Sequence, residues 1–315
     1  MIKNAFPFAV WCILRFIISI VVIDLQIYGW YNTISIRYKG VSFMRRTFAQ
    51  VLKEGKVDIK NEYTKLYNLF YTPNIRDGKS LADIISDNFY VFHFRGTCLT
   101  LDEFDRMHEI RFVEYPQKFD IDYLVSFCEY IFNFISQLSD RFFYSDFNKH
   151  RIINHILCVV ETIGYMRSEE DDITIFVPKD GIAIAISESE LVPQKMSYKV
   201  ISYNHHSMSG DLEGKKQILL SFADTLEALR PRLKEADKQL ESDLFYAFNN
   251  FNVRHNNIDP AGTKYKKPVA DLTDIQMEEC YDNVYQMCLL AFMVLDDVDQ
   301  RKIFNELKAK IINRG

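Results

Sequence analysis

The sequence has little glycine and proline and lacks the common catalytic signatures. Its 315 residues include only 11 Gly and 8 Pro, against 25 Phe and 18 Tyr. This balance favours a well-filled globular core over a loop-rich or fibrous protein. The chain contains no phosphate-binding Gly-rich loop, GxSxG nucleophile motif, HExxH zinc motif or internal repeat. The best-marked classes of nucleotide-binding protein, serine hydrolase and metalloprotease are therefore excluded.

The cysteines and the net charge indicate the cellular compartment and limit the kinds of partner. Six Cys are scattered and none forms a CxxC pair, which indicates a reducing compartment without structural zinc. We therefore expect a cytoplasmic protein with no metal and no other cofactor. The net charge of −5 argues against a protein coated in nucleic acid but allows a local basic site.

Residues 1–43 form an apolar segment that can be interpreted in several ways. A membrane helix over 5–30 would carry Arg15 and Asp24, each costing about 2.5–3.5 kcal/mol near the bilayer centre. A secretory signal would lack a clear small-residue cleavage site. The segment could instead lie outside the functional protein, because from Met44 onward the composition is that of a soluble domain. It could also be an ordinary buried segment. If 5–30 spans a membrane, the basic residues that follow it leave the body in the cytoplasm. In the third case, protein lacking residues 1–43 should be soluble.

The remaining pattern predicts a mainly α fold in two parts. Residues 44–118 look like a small α+β region, with a strand in the alternating segment 88–96. Residues 119–315 look like a C-terminal helical bundle with a β-hairpin insertion at about 167–208. The insertion would pair Ile173–Val177 with Ile182–Ile186 through a Pro-Lys-Asp-Gly turn, and 199–203 would add a third strand.

Several helices in the bundle have sharp sequence patterns. The first has an apolar face and an opposite polar face, whose members are Asp122, Ser126, Glu129, Asn133 and Ser136. Pro231 should break or restart a later helix. Thr273 with Gln276 predicts a capped start for the next long helix.

A polar cluster near the C-terminus is the main candidate for chemistry. Arg254 and His255 follow a strongly patterned helix, and three lysines lie nearby against Asp259. Arg can hold a phosphate through two hydrogen bonds, and His can transfer a proton near neutral pH. This combination suits metal-independent acid–base cleavage of RNA, with Arg254 and His255 as catalytic residues. The RNA-binding candidates around them are Asn250, Asn256, Asn257, Lys264, Lys266 and Lys267.

The same cluster also fits a purely structural role. Asn commonly ends helices, and Arg or His near a helix C-terminus can satisfy its last carbonyl groups. In that case the chain would be a non-catalytic interaction module.

From about residue 120 to 312 the chain resembles the HEPN family, helical bundles of bacterial defence and toxin proteins that include ribonucleases. The resemblance rests on the order of the helices and on Arg254 at the end of the penultimate bundle helix. The family motif is an Arg, commonly a polar residue next, and a His four to six residues after the Arg. Arg254 and His255 match the first part, but the distal His is missing where the chain has Asp259 and Pro260. The resemblance implies abortive-infection or antiviral defence, a possible endoribonuclease activity and a homodimer.

Other polar groups are expected to be structural. His205 and His206 could bind a metal, but no nearby Cys or Glu completes a zinc-like spacing, so an exposed turn is favoured. His93 is expected to be half-buried in a strand. The acidic residues around Glu278 are typical of a solvated helix start.

Two hypotheses follow for the function. In the first, the protein binds RNA in defence, with or without cleaving it. In the second, it is a helical module that acts through a protein partner or through self-association. The first requires Arg254 and His255 to be exposed and to converge near the lysines, whereas the second lets them turn onto the helix carbonyls.

Overall fold

The computed structural model of the chain describes residues 57–74, 78–142 and 148–312. These ranges are mainly helical and contain one two-stranded antiparallel sheet, so the mainly α prediction is confirmed. The predictions for residues 1–43 lie outside the described residues. Among the described helices, none combines the length and the apolar character needed to cross a membrane.

The first half of the described chain contains five helices and a β-hairpin. Its elements are α1 (Ile59–Tyr71), α2 (Leu81–Asp87), α3 (Leu101–Met107), α4 (Ile121–Gln137), α5 (Lys149–Thr162), β1 (Tyr165–Glu170) and β2 (Ile173–Pro178). Each helix begins at a polar residue whose side chain accepts a hydrogen bond from a backbone N–H of the first turn. The two strands pair with Glu170 opposite Ile173.

All the regular elements of the second half are helices. Its elements are α6 (Gly181–Ser187), α7 (Gln194–Ser202), α8 (Leu212–Ala236), α9 (Lys238–Asn250), α10 (Lys267–Ala270) and α11 (Asp274–Ile312). Helix α8 packs against α9 and α11, and α9 also contacts α11. Helices α8 and α11 run in the same direction, because Lys215 pairs with Glu278 and Arg232 pairs with Asp299. These three helices form the predicted bundle.

Each half has its own hydrophobic core. The N-terminal core is built from buried residues between Tyr63 and Phe176, and the C-terminal core from buried residues between Ala183 and Leu295. Residues on both sides of 118 pack into the N-terminal core, for example Tyr63 against Phe127 with ring centroids 5.1 Å apart. Segments on both sides of residue 118 therefore share one core.

Several local predictions are wrong. The segment 88–96 forms two 3₁₀ turns, Phe89–Val91 and His93–Arg95, so the described part of 44–118 contains no strand and His93 is exposed. The hairpin pairs Ile173–Pro178 with the preceding segment Tyr165–Glu170 and not with 182–186.

The segments 182–186 and 199–203 are also not strands, because they lie mostly in α6 and α7. Helix α8 continues through Pro231 without a break. Pro231 lacks an N–H to donate to the preceding turn, yet packing of Leu233 into the core holds the helix together.

Candidate functional site

The Arg254 cluster lies in the turn that ends α9. The N–H of Phe251 donates to the carbonyl of Ala247, and Asn252 takes the left-handed conformation with φ of 58°. The N–H of Arg254 then donates to the carbonyl of Phe248 at 2.9 Å. This is a helix C-cap with Asn in the left-handed position, where the amide side chain tolerates the positive φ.

Arg254 points back along the bundle. Its guanidinium pairs with Glu227 on α8 and donates to the carbonyl of Ala223 at 2.7 Å. It also lies 5.5 Å from the ring centroids of both Phe245 and Phe248, so two aromatic faces flank the cation. Only 18% of the side chain is exposed. The hydrogen bond from Arg254 lowers the pKa of the Glu227 carboxyl, which indicates a formed ion pair.

Asn257 is fully buried and closes the loop after α9. Its Oδ1 accepts from the N–H of Asn252 at 2.8 Å, and its Nδ2 donates to the carbonyl of Lys264 at 2.8 Å. Asn252 returns the contact by accepting from the N–H of Asn257 at 3.2 Å. The Asn257 side chain is therefore occupied by the protein and not presented to a ligand.

The other residues of the predicted RNA site are more accessible. His255 is half-buried, and Asn256 and the lysines 264, 266 and 267 are exposed. Within the described ranges, these five side chains have no hydrogen-bond or ion-pair partner. Asn250 is half-buried and donates to the carbonyl of Tyr246 at 2.8 Å. Arg254 is thus bonded within the bundle, whereas the side chains of His255 and the three lysines have no partner among the described residues.

A second polar group lies on α4, along the face predicted to oppose the core. Four of its residues contact the hairpin or the turn after α7. Asn133 donates to the carbonyl of Thr174 and accepts from its N–H, both at 2.8 Å. Ser126 lies 3.3 Å from His206, and Asp122 accepts from the Tyr165 hydroxyl at 3.4 Å. This face is therefore an internal interface.

The fourth residue of this face, Glu129, joins the two halves of the molecule. Its Oε1 accepts from the N–H of Phe176 at 2.5 Å and lies 2.9 Å from Nε2 of His205. Its Oε2 lies 3.8 Å from Nε2 of His206. One nitrogen from each His and one oxygen from Glu129 all lie within 4.8 Å of one another. We call Glu129, His205 and His206 the Glu–His–His cluster.

The backbone explains how two adjacent His residues reach the same carboxylate. His205 is extended, with φ of −69° and ψ of 142°, and His206 begins a 3₁₀ turn, His206–Met208. The change of conformation brings the two rings side by side, with centroids 4.1 Å apart. His205 is only 8% exposed, so the prediction of an exposed turn is wrong at this residue.

Burial and charge act against each other in the cluster. Burial would raise the pKa of the Glu129 carboxyl, but the hydrogen bonds from His205 and His206 outweigh it, and the pKa is lowered. Burial would lower the pKa of His206, but its contact with Glu129 raises it instead. The carboxylate is therefore held in its charged form.

Two clefts border the Glu–His–His cluster. One, of about 440 Å³, is lined by Ser126 and Glu129 and by aromatic side chains that include Phe94, Phe112 and Phe134. The other, of about 400 Å³, is polar and is lined by both His residues. In its wall Lys215, a buried cation, pairs with Glu278 at 2.8 Å and Asp282 at 2.6 Å. Glu278 and Asp282 are thus not simply a solvated helix start.

Sequence reasoning missed Glu129 because it lies 76 residues from His205. A signal was nevertheless present, since α4 contains no Lys or Arg over 17 residues. Solvated helix faces are rich in long charged side chains, so a polar stripe of Ser, Asn, Asp and Glu alone indicates internal hydrogen bonding.

Comparisons with known proteins add no family or fold to these observations. No protein-family model, no curated protein and no solved structure matches the chain.

Proposed function

We propose that the protein is a helical interaction module that self-associates through the last part of α11. The observation that supports this most strongly is the exposure of residues 301–312, which continue the helix past the C-terminal core. At 1.5 Å per residue this segment is about 18 Å long. None of these residues is buried against the described part of the chain. Helical stability in proteins comes mostly from packing of an apolar face, so the exposed segment favours a partner.

The exposed segment has an apolar stripe. Phe304, Leu307 and Ile311 follow the i, i+3, i+7 spacing of a helix-pairing seam, and each is at least half exposed. Ile303 lies beside them, four residues before Leu307, and is also exposed. An exposed contiguous apolar surface of this kind is typical of a protein–protein contact.

The charges favour a second copy of the same segment in antiparallel orientation. Glu306 lies near the middle of the segment, and Lys308 and Lys310 lie toward its end. When Phe304 of one copy lies opposite Ile311 of the other in antiparallel orientation, Glu306 lies beside the two lysines of the second copy, whereas parallel pairing places the lysines of both copies together. A two-fold contact of this type closes after two chains.

The test is to place charge on the stripe. Changing Phe304→Glu together with Leu307→Glu should give single chains, because two carboxylates would be buried without partners in the pairing seam. The matched control is Ile275→Glu, which changes a more exposed apolar residue near the start of the same helix. Light scattering should find pairs for the wild type and the control. Pairs formed by the double variant would exclude this surface.

Binding of RNA through Lys264, Lys266 and Lys267 is a second candidate function, which their free and exposed ammonium groups support. Half-buried His255 would be the acid or base if RNA is also cleaved. The contacts of Arg254 with Glu227 and Ala223 argue against a role for that residue in gripping phosphate.

Changing the three lysines to Ala should weaken RNA binding and reduce the salt dependence. For single-stranded RNA, the slope of log K against log salt should fall by about 2. The control changes the exposed Lys60, Lys234 and Lys238 to Ala, which removes the same charge elsewhere. Equal losses in both triple variants would mean nonspecific attraction, and no binding by the wild type would exclude this function.

A further inference from the structure

We propose that Glu129, His205 and His206 bind a divalent transition-metal ion of the zinc class. The cluster offers two imidazole nitrogens and one carboxylate oxygen. This ligand set suits Zn²⁺, which is commonly held by three protein ligands with a fourth position open. Mg²⁺ and Ca²⁺ prefer oxygen ligands and would be bound poorly.

The spacing of the ligand atoms fits such an ion. Bonds of about 2.0–2.1 Å in tetrahedral geometry place ligand atoms about 3.3 Å apart. Oε1 of Glu129 lies 2.9 Å from Nε2 of His205, and Oε2 lies 3.8 Å from Nε2 of His206. One oxygen of Glu129 and one nitrogen of each ring all lie within 4.8 Å of one another. Small side-chain adjustments therefore suffice to admit the ion between them.

The surroundings also supply support for the ligands. Nδ1 of His205 accepts from the N–H of Ser207 at 3.3 Å and lies 2.7 Å from Ser207 Oγ. When Nε2 ligates the metal, Nδ1 carries the proton, so it loses the first contact and donates to Oγ. The N–H of Phe176 holds Glu129 in place from the hairpin. A metal-binding His normally has such a partner on its other ring nitrogen, and a ligating carboxylate is normally hydrogen-bonded.

The fourth position would be reached from the aromatic cleft. Ser126 and Glu129 line that cleft, and Ser126 Oγ lies 3.3 Å from Nε2 of His206. The hydroxyl can therefore hydrogen-bond a water molecule on the ion. The cleft also gives the ion a route to the otherwise buried carboxylate.

Binding should stabilise the fold, because the ligands come from both halves of the molecule. Glu129 belongs to the N-terminal core through α4, whereas His205 and His206 follow α7 in the C-terminal half. An ion that binds only the folded state adds stability in proportion to the logarithm of its concentration above Kd. A hundredfold excess over Kd should raise the Tm by about 5–10 °C.

The experiment measures thermal melting and calorimetric binding of the full chain with Zn²⁺, Co²⁺, Mg²⁺ or Ca²⁺. We expect one Zn²⁺ per chain, a higher Tm with Zn²⁺ and Co²⁺ alone, and the visible absorption of tetrahedral Co²⁺. His206→Asn and Glu129→Gln should lose these effects. His155→Asn should keep them, because Nε2 of His155 lies 3.3 Å from Glu62 in an unrelated His–Glu pair.

Two results would overturn the proposal. One is wild-type protein that shows neither stoichiometric Zn²⁺ binding nor a shift in Tm. The other is a folded His206→Asn variant that binds Zn²⁺ as tightly as wild type. His206 is the more exposed of the two His residues and makes the longer contact with Glu129, so this variant remains informative if Glu129→Gln fails to fold.

Discussion

At the scale of single residues, Arg254 contacts two helices of the bundle in this structure. Its side chain links the end of α9 to α8 through Glu227 and the Ala223 carbonyl, and it lies between two Phe rings. A catalytic Arg would present its guanidinium to solvent or to a ligand. The sequence pattern fits both roles, since Arg at a helix end satisfies carbonyl groups as readily as it holds phosphate.

Arg254→Ala should therefore destabilise the protein. We expect a loss of about 1–3 kcal/mol in the free energy of unfolding. The Ala223 carbonyl loses a donor, two rings lose a cation, and Glu227 keeps only its 3.5 Å contact with Arg230. His255→Ala, the matched control, should change it by less than about 0.5 kcal/mol, since the half-buried ring has no partner among the described residues. Chemical denaturation of both variants measures this difference.

The pH dependence of the Arg254 effect has a definite sign. Because the pKa of Glu227 is lowered in the folded state, the ion pair contributes above the unfolded pKa of about 4.3. That contribution is lost as the pH falls through the folded pKa. The stability difference between wild type and Arg254→Ala should thus shrink in acid, and a difference that grows there would contradict the ion pair.

Among features of single residues, helix ends were the easiest to predict from the sequence. The predicted cap of Thr273 with Gln276 is confirmed, since each accepts a hydrogen bond from the backbone N–H of the other. Caps depend on residues three positions apart, so local sequence contains the information. The Glu–His–His cluster depends on the packing of distant segments, which local pattern does not contain.

At the scale of elements, the hairpin shows where local preference fails. Ile182, Ile184 and Ile186 alternate with Ala and predict a strand, but Asp180 caps the N–H groups of Ile182 and Ala183 and starts α6. The buried residues of α6 are Ala183, Ile186 and Ser187, which follow the helical spacing i, i+3 and i+4 and face the C-terminal core. Tertiary packing overrides β propensity here.

The correct partner strand had a weak local signal. Tyr165–Glu170 is mostly polar, so it does not read as a buried strand. The turn before β2 is made by Asp171 and Asp172, both with positive φ, which is the geometry of a two-residue hairpin turn. Two adjacent Asp residues were therefore a better guide to the hairpin than the isoleucines.

Asn133 should determine how firmly the hairpin is held on α4. Asn133→Leu removes both partners of the Thr174 backbone groups and should cost about 1–3 kcal/mol in the free energy of unfolding. Amide hydrogen exchange should speed up in 173–176 more than in α9. Gln137→Ala is the control, because Gln137 makes only a 3.4 Å contact with the hairpin turn. Unchanged exchange in Asn133→Leu would contradict this anchoring role.

At the scale of the whole molecule, the mainly α class and the C-terminal bundle followed from helical periodicity. The division into two cores did not, because the polar face of α4 resembles a solvent-facing surface until its partners are known. The exposure of the end of α11 could not be predicted from the sequence for a similar reason. An apolar stripe in the sequence does not reveal whether it packs within the chain or awaits another chain.

Self-association through α11 is the central claim, and the mass of the wild-type protein in solution tests it most directly. Sedimentation velocity across a range of micromolar concentrations should give twice the 37.1 kDa of one chain. Lower concentrations should shift the protein toward single chains if the contact is weak. A mass of one chain throughout this range would contradict the account, and the stripe on α11 would then need another partner.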